Sequence, residues 1–315
     1  MRNCLVLILI IIGFNATTQS INDLPLQLKN DTIQFAFAGH TYGRLTASVH
    51  PCPSLYNGLD TLNHLGLDFT IFLGDIIKHQ EQIQVELLKK NVLSKLKHPV
   101  FNAIGNHDLS HHETPNQSTI NYTFYRKHFT SKTWFHFGNQ NNRFIILDSE
   151  IDSLQIIGEQ KAFLIHLIDS LTQAKSLPLN WFIFTHKELP FYKGNWSTEI
   201  IPLLQATNGN IYHLSGDCEQ LSPLCYHYID STNQVHYIQA HLQDVKDDGF
   251  IHTTILPSGE VTFDFVPLNY NDFNQIEIPF EKPIGFEGHA QLLKEKKTNH
   301  KAPTVFSKKK LLLIL

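Results

Sequence analysis

Polar residues suited to metal binding and proton transfer follow directly after apolar stretches at several points of the sequence. Asn106, His107 and Asp108 come straight after the run "PVFNAIG". Asp75 follows "FTIFLG", and His186 follows "WFIFT". Amide, imidazole and carboxylate groups bind transition metals and carry acid–base chemistry. The spacing therefore indicates a polar site assembled where buried strands end.

Two further apolar runs end in the same way. His40 and Tyr42 come after "IQFAFAG", while Asp217 and Glu219 come after "NIYHLSG". In an open α/β sheet, ligand sites form beyond the carboxyl ends of the strands. Five such ends can therefore converge on one place.

The segments between these residues alternate between strand and helix patterns. Apolar runs over residues 32–39, 68–75 and 99–104 predict strands, and helical spacing separates them at residues 54–66 and 81–97. A further helical pattern at 158–174 follows, and four alternating stretches between 225 and 267 are typical of antiparallel strands. This order predicts a layered α/β fold in one large domain.

The first twenty residues have the layout of a secretory signal peptide, with one basic residue, an apolar run and then small polar residues. The apolar run is short for a bilayer span, so no stable transmembrane anchor is expected. We expect export to the periplasm or the outside, a domain over residues 21–267, and an irregular linker with a basic tail over 268–315. Cys218 and Cys225 are close enough in sequence to form a small disulfide loop, which the sequence alone leaves open.

The overall charge does not indicate a nucleic-acid partner. The 315 residues carry a formal net charge of -4, and no basic groove is visible in the sequence. Proteins that bind nucleic acid present a strongly basic surface to the phosphate backbone. We therefore expect no nucleic-acid partner.

The polar strand ends resemble the motif blocks of the calcineurin-like metallophosphoesterases. Those blocks run Asp-x-His, Gly-Asp, Gly-Asn-His-Asp/Glu, a lone His, and Gly-His-x-His, and Gly-Asn-His-Asp at residues 105–108 is the most specific match. The resemblance covers roughly residues 33–266. It implies a four-layer α/β/β/α sandwich and two divalent or trivalent transition metal ions, iron, manganese or zinc.

The resemblance also implies a role for each matching residue. Asp75 would bridge the two ions, while Asn106 and His186 would bind the second ion. His107 would donate a proton to the leaving group, and Asp108 would orient its ring. The implied function is hydrolysis of a phosphomonoester or phosphodiester through a hydroxide that bridges the ions.

Two blocks depart from the family pattern. The first reads His40, Thr41, Tyr42, and the last reads Gly-Asp217-Cys-Glu219. One explanation is an exchange of ligands, in which His40, Tyr42, Asp217 and Glu219 still bind metal, since each is a metal-binding residue type. The other is a decayed site that holds one metal or none. In that case the protein is a degenerate phosphoesterase-like domain that binds phosphorylated or acidic ligands without cleaving them.

Overall fold

The computed structural model describes residue 28 and residues 31–43, 50–109, 122–130, 132–151, 154–192, 194–217, 225–243, 248–268 and 304–305. The strands in these ranges are β1 (Ile33–Ala38), β2 (Phe69–Leu73), β3 (Val100–Ala103), β4 (Phe135–Gly138), β5 (Asn142–Ile146), β6 (Asn180–Thr185), β7 (Asn210–Ser215), β8 (Cys225–Asp230), β9 (Val235–Ala240), β10 (Gly249–Ile255), β11 (Val261–Pro267) and β12 (Thr304–Val305). The α-helices are α1 (Pro53–His64), α2 (Gln82–Asn91), α3 (Thr123–His128), α4 (Gly158–Gln173) and α5 (Ile201–Gln205).

The strands form two mixed sheets. The first has the order β11-β10-β1-β2-β3, and the second has the order β12-β8-β9-β7-β6-β5-β4. Strands β1, β2 and β3 run parallel in the first sheet, and β5, β6 and β7 run parallel in the second. Each parallel set therefore directs its carboxyl ends to one edge of its sheet.

Phenylalanine rings fill the space between the two sheets. Phe35 of the first sheet stacks on Phe69 with 5.0 Å between ring centroids. It also meets Phe144, Phe182 and Phe184 of the second sheet edge-on, at 5.6, 5.7 and 5.9 Å. These residues are fully buried. Offset and edge-on aromatic pairs add to the stabilisation from burial, so this layer joins the two sheets firmly.

Helices cover the outer faces. Helix α1 begins with Pro53, whose fixed φ suits the first helical position, and buries Leu55, Leu59 and Leu62 at helical spacing. Helix α4 buries residues at similar spacing in a second apolar cluster together with α5 and the outer face of the second sheet. The result is the predicted α/β/β/α sandwich.

Most predicted elements are confirmed within one or two residues. The predicted helix over 81–97 is shorter, because the backbone leaves helical geometry at Val92 and continues as a 3-10 turn at Leu93–Lys95. The late strands pair antiparallel as β8 with β9 and β10 with β11, but β9 lies parallel beside β7.

Some expectations concern segments outside the described residues. They include the signal peptide over 1–20, Cys218 of the possible disulfide and nearly all of the tail. Among the described residues, no helix combines the length and apolar character needed to cross a bilayer.

Candidate metal centre

The residues singled out in the sequence lie at the carboxyl ends of the parallel strands. His40 follows β1 and Asp75 follows β2 in the first sheet, whereas His186 follows β6 and Asp217 follows β7 in the second. Asn106 lies in the loop after β3. The two sheets thus contribute to one site from opposite sides.

Glycines allow the two sheets to approach each other at this site. A Cβ atom added at Gly74 would lie 2.5 Å from Nδ1 of His186, and Gly74 has a positive φ of 81°. A Cβ atom at Gly39 would lie 2.5 Å from the backbone of Gly216. Contacts below 3 Å are not tolerated between such atoms, so glycine is required for this approach.

Four side chains, two from each sheet, bring their donor atoms together. Nε2 of His40 lies 3.3 Å from Oδ2 of Asp75 and 3.5 Å from Oδ1 of Asp217. Nε2 of His186 lies 3.4 Å from Oδ1 of Asp75 and 3.8 Å from Oδ2 of Asp217. All four residues are buried. His40, His186 and Asp217 form a group that could hold a metal ion, and Asp75 turns one of its two oxygens toward each histidine.

Some of these separations are close to the distance between two ligands of one small ion. Ligand atoms about 2.0–2.1 Å from a tetrahedral ion lie about 3.3 Å from one another. The separations of the two histidines from Asp75, 3.3 and 3.4 Å, match that value but end on two different oxygens of Asp75, and the separations from Asp217, 3.5 and 3.8 Å, exceed it. Histidine and carboxylate together suit zinc, iron and manganese.

His186 turns its Nε2 atom toward the other residues of the site. Its Nδ1 atom lies 2.8 Å from the carbonyl oxygen of Leu73, which can only accept a hydrogen bond, so Nδ1 carries the proton. Burial lowers the pKa of His186 well below its usual range, so the neutral ring turns its Nε2 lone pair toward oxygens of Asn106 and Asp75. Metal-binding histidines have this arrangement, with the other ring nitrogen bonded to a carbonyl.

Asp75 shows two further signs of a built site. Its Oδ2 atom is buried and accepts no hydrogen bond from the described residues. Both Asp75 and His40 have positive φ angles, 57° and 51°, a strained conformation that is enriched at functional sites. The residues present therefore fit a metal ion.

The charges of the two carboxyl groups differ. Burial raises the pKa of Asp75 well above its ordinary value, although the nearby His40 opposes the rise. Burial acts in the same direction on Asp217, but a hydrogen bond with His40 and the positive charge of Lys187 outweigh it and hold the pKa of Asp217 well below its usual range. Asp217 is thus the more firmly ionised ligand.

Asp108 has a different task from the one expected. Its Oδ2 atom accepts the backbone N–H groups of Asp75 and Gly105 at 3.0 and 2.9 Å, and its Oδ1 atom accepts those of Ile76 and Ile77 at 2.9 and 3.2 Å. The family resemblance implies that this carboxylate orients His107, but its hydrogen bonds indicate a structural role instead. Asp108 fixes the two loops that carry Asp75 and Asn106, because its oxygens are occupied by loop N–H groups.

His107 is oriented from elsewhere. Its Nδ1 atom lies 3.0 Å from the carbonyl oxygen of Lys78, and its backbone N–H donates to Oδ1 of Asp75 at 3.0 Å. Because a carbonyl only accepts, Nδ1 carries a proton. Since Nδ1 already carries a proton, any proton that His107 exchanges is carried by Nε2.

The remaining predicted ligands are placed differently. The ring of Tyr42 stacks on His40 at 5.4 Å and meets His107 at 4.8 Å, so the phenol joins the cluster through ring contacts. Oδ1 of Asn106 lies 3.1 Å from Nε2 of His186. Glu219 lies outside the described residues.

Three further residues at the site were missed by sequence reasoning. The ammonium of Lys187 contacts Asn106 and Asp217, and Glu150 is buried near that lysine. The buried ring of His241 meets His40 edge-on at 5.6 Å. Lys187 directly follows His186, and His241 follows strand β9, so the strand-end pattern carried a signal for both.

Solved structures of similar fold include a purple acid phosphatase from seeds of yellow lupin (Lupinus luteus), with a TM-score of 0.52, 13% identity and 82% of this chain covered. The chain spans 58% of the length of that protein. A dimetal phosphatase from Danio rerio has a TM-score of 0.46 and 12% identity, with 76% of this chain and 99% of that chain covered. The protein TT1561 of Thermus thermophilus has a TM-score of 0.41 and 12% identity, with 74% of this chain and 99% of that chain covered. No protein-family model and no curated protein matches the sequence.

The likeness to the lupin phosphatase defines the class of fold. The chain has the calcineurin-like metallophosphoesterase fold, as the motif blocks predicted. At 13% identity, that likeness establishes the architecture alone.

Proposed function

We propose that this protein is a metal-dependent phosphoesterase that acts after export. The observation that carries the proposal is the buried group of His40, Asp75, His186 and Asp217, in which the Nε2 atoms of the two histidines lie 3.3–3.8 Å from carboxylate oxygens of both sheets. A divalent ion held there would supply Lewis-acid activation of a phosphoester and of a water molecule. The substrate is a phosphomonoester or a phosphodiester.

The chain's own residues supply the rest of the chemistry. His107 keeps a proton on Nδ1 through the carbonyl of Lys78, so Nε2 can deliver a proton to the departing oxygen when the ring is charged. The ammonium of Lys187 adds positive charge where a phosphoryl group would bind. Asp108 keeps the loops that carry Asp75 and Asn106 in place.

The test is hydrolysis by the purified chain loaded separately with Zn²⁺, Mn²⁺ and iron. We expect turnover of p-nitrophenyl phosphate or of its bis-ester with at least one metal. His107→Ala should lower kcat by about 10²–10⁴-fold, the usual contribution of a proton donor. His64→Ala is the matched control, because His64 lies exposed at the end of α1. No hydrolysis of either ester with any metal would refute the proposal.

Export has a separate test. We expect the secreted or periplasmic form to begin near Ser20 or Ile21, since the apolar run of the first twenty residues is followed there by small polar residues. Mass spectrometry of the N-terminal peptide measures this. A cell-retained protein that keeps residues 1–20 would contradict it.

The second candidate is a domain that binds phosphorylated ligands without cleaving them. The ammonium of Lys187 inside the ligand cluster favours it, because an ammonium binds phosphate as a point charge without activating water. Calorimetry with inorganic phosphate distinguishes the two. Binding of phosphate by a metal-loaded protein that hydrolyses neither ester would support the second candidate.

A further inference from the structure

Lys187 is placed in the metal centre by its own backbone. Its N–H donates to Oγ of Ser149 at 3.0 Å, and its carbonyl oxygen accepts the hydroxyl of Thr185 at 2.6 Å. The side chain is only 16% exposed. Since the backbone is held on both sides, the side chain is directed inward beside His186.

The ammonium binds two oxygens that belong to the candidate ligands. Nζ of Lys187 donates to Oδ1 of Asn106 at 2.8 Å and to Oδ2 of Asp217. The ammonium of Lys187 is therefore held between these two oxygens.

That position is the one a second metal ion would need. Asn106 is the residue through which the family resemblance implies binding of the second ion. An ion bound by Asn106 and Asp217 would lie about 2.0–2.2 Å from each oxygen and would compete with the ammonium for the same lone pairs and space. A dication beside an ammonium would also meet strong repulsion in this buried setting.

We propose that the centre holds one metal ion, bound by His40, Asp75, His186 and Asp217, and that the ammonium of Lys187 takes the place of the second. The inference rests on the proposed function for the identity of the site. In this arrangement the side-chain oxygen of Asn106 serves as an acceptor for the ammonium and not as a metal ligand.

The test measures metal content and does not depend on turnover. The full chain and its variants are saturated with Mn²⁺, separated from free ion by gel filtration and analysed by elemental mass spectrometry. We expect about one ion per chain in the wild type and in Lys187→Arg, which keeps the charge, and about two in Lys187→Ala, where the oxygens of Asn106 and Asp217 are released. Lys187→Ala combined with Asn106→Ala should return to about one.

Electron paramagnetic resonance gives a second readout on the same samples. A single Mn²⁺ gives an isolated-ion spectrum, whereas two ions that share a carboxylate are spin-coupled. We expect the isolated form in the wild type and the coupled form in Lys187→Ala. Lys161→Ala is the control, because Lys161 pairs with Glu199 at the surface, at 2.6 Å.

Several outcomes would overturn the inference. A coupled pair or two ions in the wild type would do so, as would no bound ion, or a single ion in a folded Lys187→Ala. The wild-type spectrum decides the matter even if Lys187→Ala does not fold. One ion in the wild type and two in Lys187→Ala, without hydrolysis of any ester, would refute the proposed function and leave the inference standing.

Discussion

Replacing Asp108 by asparagine tests whether this carboxylate holds the site loops together. Its two oxygens accept four backbone N–H groups, two each, from Asp75, Ile76, Ile77 and Gly105. Asparagine has one oxygen and one NH₂ group at these positions. Whichever way the amide is turned, two buried N–H donors face another donor.

The cost follows from those two donors. A buried polar group that loses its partner costs about 1–3 kcal/mol, so Asp108→Asn should lower the free energy of unfolding by about 2–6 kcal/mol. For a domain of this size, each kcal/mol lowers Tm by about 2–4 °C. Burial raises the pKa of Asp108 to about 7, although the hydrogen bonds from the backbone N–H groups oppose the rise. The stabilities of the wild type and Asp108→Asn are therefore compared at pH 8, where the carboxylate is ionised.

The assay is urea unfolding of the metal-free protein, followed by circular dichroism. Asp230→Asn is the matched control, because Asp230 accepts backbone N–H groups of Thr232 and Asn233 in a partly exposed turn. We expect the control to change stability by about 0.5 kcal/mol or less. A loss below about 1 kcal/mol in Asp108→Asn would refute the structural role, because each orphaned donor alone should cost that much.

Three further outcomes are expected. Burial raises the pKa of Glu150 to about 8, above its unfolded value. Its ionisation should therefore destabilise the fold as pH rises through about 4.5–8. Over that range the free energy of unfolding of Glu150→Gln should rise above that of the wild type by up to about 5 kcal/mol, measured by urea unfolding with a chelator present. Gly74→Ala should weaken Zn²⁺ affinity at least about 10-fold by calorimetry, because its Cβ would press on the ring of His186; unchanged affinity would contradict the close approach. Phe35→Ala should lower the free energy of unfolding in urea by about 3–5 kcal/mol, since the ring of Phe35 contacts both sheets. A loss under about 2 kcal/mol would show that neighbouring side chains move into the space left by the ring.

Local patterns in the sequence predicted the elements and the polar residues at their ends. Apolar runs indicated β1, β2, β3, β6 and β7, because a buried parallel strand reads as a continuous apolar stretch. His40, Asp75, His186 and Asp217 were identified as ligands on the same grounds. Three of them, His40, His186 and Asp217, lie together in a group that could hold a metal ion.

The roles of Asp108 and Lys187 depended on contacts between distant segments. The partners of Asp108 that lie 31–33 residues away become neighbours only when β2 and β3 pair in parallel. Lys187 meets Asn106, 81 residues away, only because the two sheets pack face to face. Local apolar and polar order along the chain was enough to show which residues end each strand. It could not show which atoms meet, because the approach of the sheets through Gly74 and Gly216 sets those distances.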